Sequence, residues 1–272
     1  MRLDETTLIS GSGATADVYA YGEGRVLKLF RQRAPHQANE ALAARVAADA
    51  GLPTPRVLSD GLIEVDDREG IIFDRVDGMT MHQHVEENPD DAEASGRALA
   101  ELHTRIHACE GSGLHGLRWT LARSVAGAQA LDESTQDAVV ALLYSLPVGN
   151  AICHNDLHPL NVLRTEDGWS IIDWAAGLQG ASLACHARSW LLAQYWTRVL
   201  GFASVPTWRR FWAAYEQAYQ ELTPVPLDEL RAWKTVIVAV SIAWDKSVPD
   251  PETRAAFVEA SLAGGSHPWL DE

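Results

Sequence analysis

Three polar side chains spaced along one short segment could share a metal-bound phosphate. Residues 152–174 read ICHNDLHPLNVLRTEDGWSIIDW, with Asp156, Asn161 and Asp173 set among apolar runs. Val162–Thr165 and Trp169–Ile172 are short β-prone runs around Glu166-Asp167-Gly168, which predicts a hairpin. Pairing about that loop sets 165 opposite 169 and 162 opposite 172; one step further, Asn161 faces Asp173. Paired residues lie roughly 5 Å apart, so an amide oxygen and a carboxylate there could hold one cation. Oxygen donors of this kind suit Mg2+, which takes a carboxylate together with substrate phosphates. Asp156, five residues before Asn161, follows an apolar strand in a polar loop that Pro159 stiffens.

Other elements must position this segment. Residues 17–21 and 25–30 flank Gly22-Glu23-Gly24, a hairpin signal, and residues 61–66 and 70–76 pair around Asp67-Arg68-Glu69. Between them, residues 36–50 carry apolar helical spacing and stop at Gly51 and a Pro-x-Pro. Asp77-Gly78 punctuates the chain. Beyond it the periodicity predicts helices at 92–108, 121–131, 134–145, 186–200, 207–222, 227–246 and 252–263. The expected fold class is α+β: a small β-rich lobe over 1–77 and a larger helical lobe over 78–272, interrupted by the β insertion at 150–175.

Composition narrows the partners. The chain has 272 residues and a formal net charge of −15, with 47% hydrophobic and 22% charged residues, which is globular composition. So acidic a surface argues against nucleic acid and against an anionic membrane, and leaves cationic small molecules open. Three cysteines without repeated spacing imply neither a disulfide framework nor a zinc knuckle. The opening MRLDETTLIS does not read as a signal peptide, and no run approaches ~18 apolar residues, so the expected compartment is the cytoplasm. Of 22 basic residues 19 are Arg, and Lys28 is the sole lysine before Lys234.

HNDLHPLN followed by IIDW resembles the signature of the aminoglycoside phosphotransferase and choline kinase family, relatives of protein kinases. There the motif runs His-x-Asp-Leu-x-x-x-Asn and then Ile-Asp-Trp or Ile-Asp-Phe. The resemblance implies a two-lobed protein-kinase-like fold. It makes Asp156 the catalytic aspartate that receives or orients the acceptor hydroxyl proton, and Asn161 and Asp173 the Mg2+ ligands on the nucleotide phosphates. Phosphoryl transfer asks a protein mainly for positioning and charge neutralisation, which these three residues supply. Asn155 and Leu160 depart from the pattern, standing where members commonly carry glycine. Leu178–Ala187 lacks the aspartate expected there and has His186 nearby.

The same resemblance requires a phosphate loop, a lysine and a partner acid in the first lobe. GSGATADVY (11–19) fits the Gly-rich pattern at Gly11, Gly13 and Val18, with Ala16 in the third glycine's place. Lys28 lies in the strand VLKLF, where Val26, Lys28 and Phe30 share a face by period two. An inward lysine needs an anion; nucleotide phosphates and Glu40, twelve residues on in the next helix, would provide it. Backbone groups of Asp74, Arg75 and Val76 at the hinge would bind the adenine. His103 and His107 are spaced i, i+4, but with no third ligand in a convincing place they read as structural histidines.

For the acceptor, Asp173 is followed by a short Gly/Ala stretch without the Ala-Pro-Glu of protein kinases, which favours a small molecule over a protein. Most of the ten tryptophans fall in the last hundred residues, and from 214 onward ten acids face four bases. Trp at helical spacing reads first as core, with Asp245 beside Trp244 as the candidate acceptor contact. The expected activity is transfer of the γ-phosphoryl group of ATP or GTP to a hydroxyl of a small molecule such as an aminoglycoside, choline or amino alcohol. Two rival readings are a pseudokinase-like nucleotide-binding module and a metal-dependent hydrolase built on His154-x-Asp156-x-His158. Retention of Lys28, Asp156, Asn161 and Asp173 counts against the first, and the lack of further ligand motifs against the second.

Overall fold

The computed structural model describes residues 8–10, 15–34, 36–198, 206–244, 251–265 and 267. Gly11, Gly13 and Asp245 lie outside the described residues. In chain order the strands and helices are β1 (Leu8–Ser10), β2 (Ala16–Ala20), β3 (Arg25–Phe30), α1 (His36–Asp49), β4 (Ile63–Val65), β5 (Arg68–Asp74), β6 (Met79–Thr80), α2 (Met81–Glu87), α3 (Ala92–His107), α4 (Leu117–Val125), α5 (Glu133–Ser145) and β7 (Ala151–Cys153). They continue as β8 (Val162–Thr165), β9 (Gly168–Ile171), β10 (Leu178–Gly180), α6 (Ser182–Arg198), α7 (Pro206–Leu222), α8 (Leu227–Trp244) and α9 (Pro251–Leu262). The chain divides into two compact units. One takes in residues 1–86 with 159–177, the other 87–158 with 178–272.

The first unit is built on an antiparallel sheet in the order β1-β2-β3-β5-β4. Turn chemistry sets its registers. Gly22 and Gly24 take positive φ of 68° and 64° between β2 and β3, a conformation that costs glycine little. The next turn falls on Asp66 and Asp67, with φ of 47° and 63°, and not on 67–69. Two residues with φ above zero make the tight loop that matches strand twist, so Arg68 is already a strand residue paired with Val65. Leu27 and Leu29 on β3 are fully buried and pack with Val65. The alternate face of β3 carries Val26, Lys28 and Phe30, as period two requires.

A small sheet ordered β6-β8-β9 completes this unit. Here the expected register is off by one: Thr165 pairs with Gly168 and Val162 with Ile171. The cause lies in the loop, which closes on Glu166-Asp167 alone while Gly168, at φ 132°, enters the strand. Asn161 therefore meets Ile172, whose N–H donates to the Asn161 carbonyl at 3.0 Å, and Asp173 lies one residue beyond.

The second unit is helical, with the two-stranded pair β7–β10 inside it. Helix α8 is apolar almost all round; Val236 to Val240 are at most 1% exposed, as befits a helix enclosed by α4, α5, α6 and α9. Helix α3 packs on α7 at Gly96, where a Cβ would come within 2.2 Å of the Phe211 carbonyl oxygen. Only glycine allows that approach. The helix expected at 121–131 runs instead over 117–125, followed by a turn.

Candidate active site

In the first unit one ammonium is shared by two carboxylates. Lys28 Nζ donates to Glu40 Oε1 at 2.6 Å and to Asp173 Oδ1 at 3.1 Å. Lys28 and Glu40 are largely buried, with side chains 14% and 2% exposed, whereas Asp173 is 38% exposed. Burial would discharge Lys28, but Glu40 and Asp173 outweigh it and hold its pKa above the ordinary value. Glu40 fares differently, because two acids compete for one cation. Burial and the Asp173 charge push its carboxyl up to about 7 against the opposing pull of Lys28.

Local structure aims each of these groups. Asp173 leaves β9 in the left-handed region at φ 63°, a conformation Asp tolerates better than most residues. Helix α1 then clamps the following segment: Asn39 Nδ2 donates to the carbonyls of Ala175 and Gly177 at 3.2 and 2.8 Å. The buried Trp174 indole donates to Thr54 Oγ1 at 2.9 Å, and Thr54 donates to the Ile171 carbonyl at 2.8 Å. No motif marks Asn39; its place beside Glu40 on the same helix is the one signal its position offers. The Asn161 amide and the Asp173 carboxylate share the open end of the β8–β9 hairpin and offer the hard oxygen donors that Mg2+ prefers, so the donor set fits that ion.

At the end of β5, the Asp74 N–H donates to the Arg56 carbonyl at 3.0 Å and the Arg75 N–H to the Gly24 carbonyl at 2.9 Å. Asp74 is also held by Arg56 Nε at 2.6 Å.

Asp156 belongs to the second unit, in the loop after β7. Its own N–H reaches His154 Nδ1 at 3.3 Å, and its Oδ2 stands 3.6 Å from His158 Nε2, an ion-pair distance. Burial would raise its pKa, yet His158, with the charges of Arg188 and His154, more than offsets that and holds the carboxyl below the usual range. Arg188, 8% exposed on α6, was not singled out by the sequence, since nothing in its spacing ties it to residue 156. Ser189 Oγ donates to the Leu157 carbonyl at 3.1 Å and fixes the loop from α6. Asn155, the departure from glycine, adopts φ 59°. Asparagine is among the few residues that enter this region at modest cost, and its side chain donates to the Cys153 carbonyl at 3.2 Å.

A family model described as the phosphotransferase enzyme family matches residues 6–225. The chain belongs to the phosphotransferase enzyme family. It is a small-molecule phosphotransferase. No curated protein matches it, but solved structures do. A thermostable mutant of aminoglycoside phosphotransferase APH(4)-Ia, in ternary complex with ADP and hygromycin B, is similar at TM-score 0.66 and 17% identity over 97% of this chain and 95% of that one. A choline/ethanolamine kinase family protein from Mesorhizobium loti is similar at TM-score 0.54 and 20% identity, covering 98% and 90% of the two chains. An aminoglycoside-3'-phosphotransferase of type VIII is similar at TM-score 0.56 and 20% identity, covering 87% and 93%. These likenesses show the protein-kinase-like fold. Among the described residues no helix is long and apolar enough to cross a membrane.

Proposed function

We propose that this phosphotransferase moves the γ-phosphoryl group of ATP, with GTP as the other candidate donor, to a hydroxyl of a small molecule carrying amino groups. The observation that carries this reading is Lys28 held 2.6 Å from Glu40 and 3.1 Å from Asp173. A charged, oriented lysine beside an exposed carboxylate is the arrangement that nucleotide phosphates require. Glu40 orients Lys28. Asn161 and Asp173 would hold Mg2+, which when bound neutralises phosphate charge. Of the hinge donors, those of Asp74 and Arg75 already serve Arg56 and Gly24, so the Val76 N–H is the one that would meet the base edge. Gly11 and Gly13 would cover the phosphates with backbone N–H groups.

Asp156 accepts or orients the acceptor hydroxyl proton. His158, Arg188 and His154 keep it ionised across the physiological range, so its task is orientation and late proton acceptance, which suits the loose transition state of phosphoryl transfer. The −15 net charge and the acidic stretch after 214 favour a cationic acceptor. An acceptor panel of aminoglycosides, choline, amino alcohols, sugars and macrolides, assayed with ATP or GTP and Mg2+, tests the reading. Nucleotide-dependent phosphorylation of an amino-bearing member supports it. Labelled phosphate that passes to no hydroxyl compound, with or without Mg2+, contradicts it.

A further inference from the structure

The helical unit holds a second set of metal-type ligands that phosphoryl transfer does not use. His103 and His107 stand one turn apart on α3 with ring centroids 4.1 Å apart, and Cys185 faces them from α6. One ligand atom from each lies within 4.8 Å of the others, and among the described residues this is the one such group of His, Cys, Asp or Glu side chains. Spacing in sequence showed two histidines and no third ligand. The fold supplies the third from 82 residues away.

Each imidazole is oriented by a tyrosine of α7. His103 Nδ1 lies 2.8 Å from the Tyr215 hydroxyl, and His107 Nδ1 lies 2.8 Å from the Tyr219 hydroxyl. Metal-binding histidines keep one ring nitrogen on such an outer partner, which fixes the tautomer and leaves the other lone pair for the metal. That other nitrogen is Nε2 in both rings. His103 Nε2 is 3.3 Å from Cys185 Sγ, and His107, which also interacts with the Cys185 thiol, keeps its Nε2 buried outside any regular hydrogen bond. A tetrahedral zinc with bonds of ~2.3 Å to sulfur and ~2.0–2.1 Å to nitrogen sets its ligand atoms roughly 3.3–3.6 Å apart. The His103–Cys185 pair already has that spacing, and a modest closure brings in His107.

We propose that His103, His107 and Cys185 form a zinc site, with water or a small ligand in the fourth position. A thiolate with two imidazoles selects zinc over magnesium, so the site stays distinct from Asn161 and Asp173. Cys185 Sγ also accepts the Asn155 N–H at 3.4 Å. Zinc on that sulfur therefore braces the loop one residue from Asp156. The site stands whether or not the phosphotransfer reading holds.

The test uses the full chain, purified without a metal-affinity tag, stripped with a chelator, and titrated with Zn2+ against a chromophoric competitor and then with Co2+. Expected are one equivalent of metal, a melting temperature higher by roughly 5–10 °C at zinc a hundredfold above Kd, and a thiolate-to-cobalt charge-transfer band. Cys185→Ser removes the band. His107→Gln, at the partly exposed edge of the cluster, lowers zinc affinity by more than the roughly ten- to hundredfold that loss of an outer partner costs, while the metal-free variant keeps its circular dichroism; it carries the comparison should the buried serine variant not fold. Absence of a saturable equivalent in the wild-type chain overturns the proposal. So does a cobalt band that survives Cys185→Ser, or undiminished zinc affinity in His107→Gln.

Discussion

Lys28 Nζ lies 3.1 Å from Asp173 Oδ1, a contact between residues 145 positions apart in the chain. Nothing local joins them. A buried ammonium within a six-residue strand is stable only where anions meet it, and here Glu40 and Asp173 do so while Asp173 keeps an exposed side. In the proposed reading, the exposed side of Asp173 is where a metal–phosphate group would bind.

Removing the ammonium should leave two carboxylates facing each other. Lys28→Met is expected to lower kcat/KM for the nucleotide by about 10²- to 10³-fold, the usual loss for one preorganised donor to transferring phosphate. Steady-state kinetics with varied nucleotide checks this, and circular dichroism confirms that the fold persists.

Glu40 should make the enzyme sensitive to pH. Its carboxyl, raised from an ordinary 4.5 to about 7, is neutral in the folded chain below that value and holds Lys28 as an anion only above it. Nucleotide KM should therefore fall as pH rises through about 7, and Glu40→Gln should flatten that step. Stability runs the other way. A raised folded pKa contributes stability that is full below 4.5 and is lost as pH rises through about 7, so urea midpoints should show a fall across this window that shrinks in Glu40→Gln.

Asn155 at φ 59° predicts a ranking of substitutions. Asn155→Gly keeps the backbone conformation and gives up the side chain with its bond to the Cys153 carbonyl. Asn155→Val, β-branched in a left-handed conformation, should cost about 1–2 kcal/mol and lower kcat through the neighbouring Asp156. Thermal unfolding and kinetics on the two variants separate backbone strain from side-chain loss.

Gly96 tests the α3–α7 crossing. Gly96→Ala drives a methyl to 2.2 Å from the Phe211 carbonyl oxygen, and overpacking of this kind costs about 1–3 kcal/mol. Urea denaturation should show a lower midpoint at unchanged slope.

Much of this molecule can be read from its sequence. Helical period and stop signals locate α1, α3, α5, α7 and α9 within a residue or two, and the face shared by Val26, Lys28 and Phe30 follows from strand geometry alone. Registers are harder, because a single turn residue shifts them: Gly168 joins its strand and Arg68 does likewise, so both hairpins close one step tighter than their composition suggests. Strands of two or three residues such as β6 and β10 carry no period of their own. In the site, Lys28, Glu40 and Asp173 are marked by residue type and order. Asn39, Arg188 and Cys185 are not, since their work depends on neighbours that only the folded chain brings near.

The central claim is that Asp156 serves the transfer step while the first unit holds the nucleotide. Asp156→Ala decides it, measured for nucleotide affinity by calorimetry and for turnover with the best acceptor. The account predicts unchanged nucleotide affinity with kcat reduced by about 10²-fold or more; wild-type turnover in that variant would contradict it.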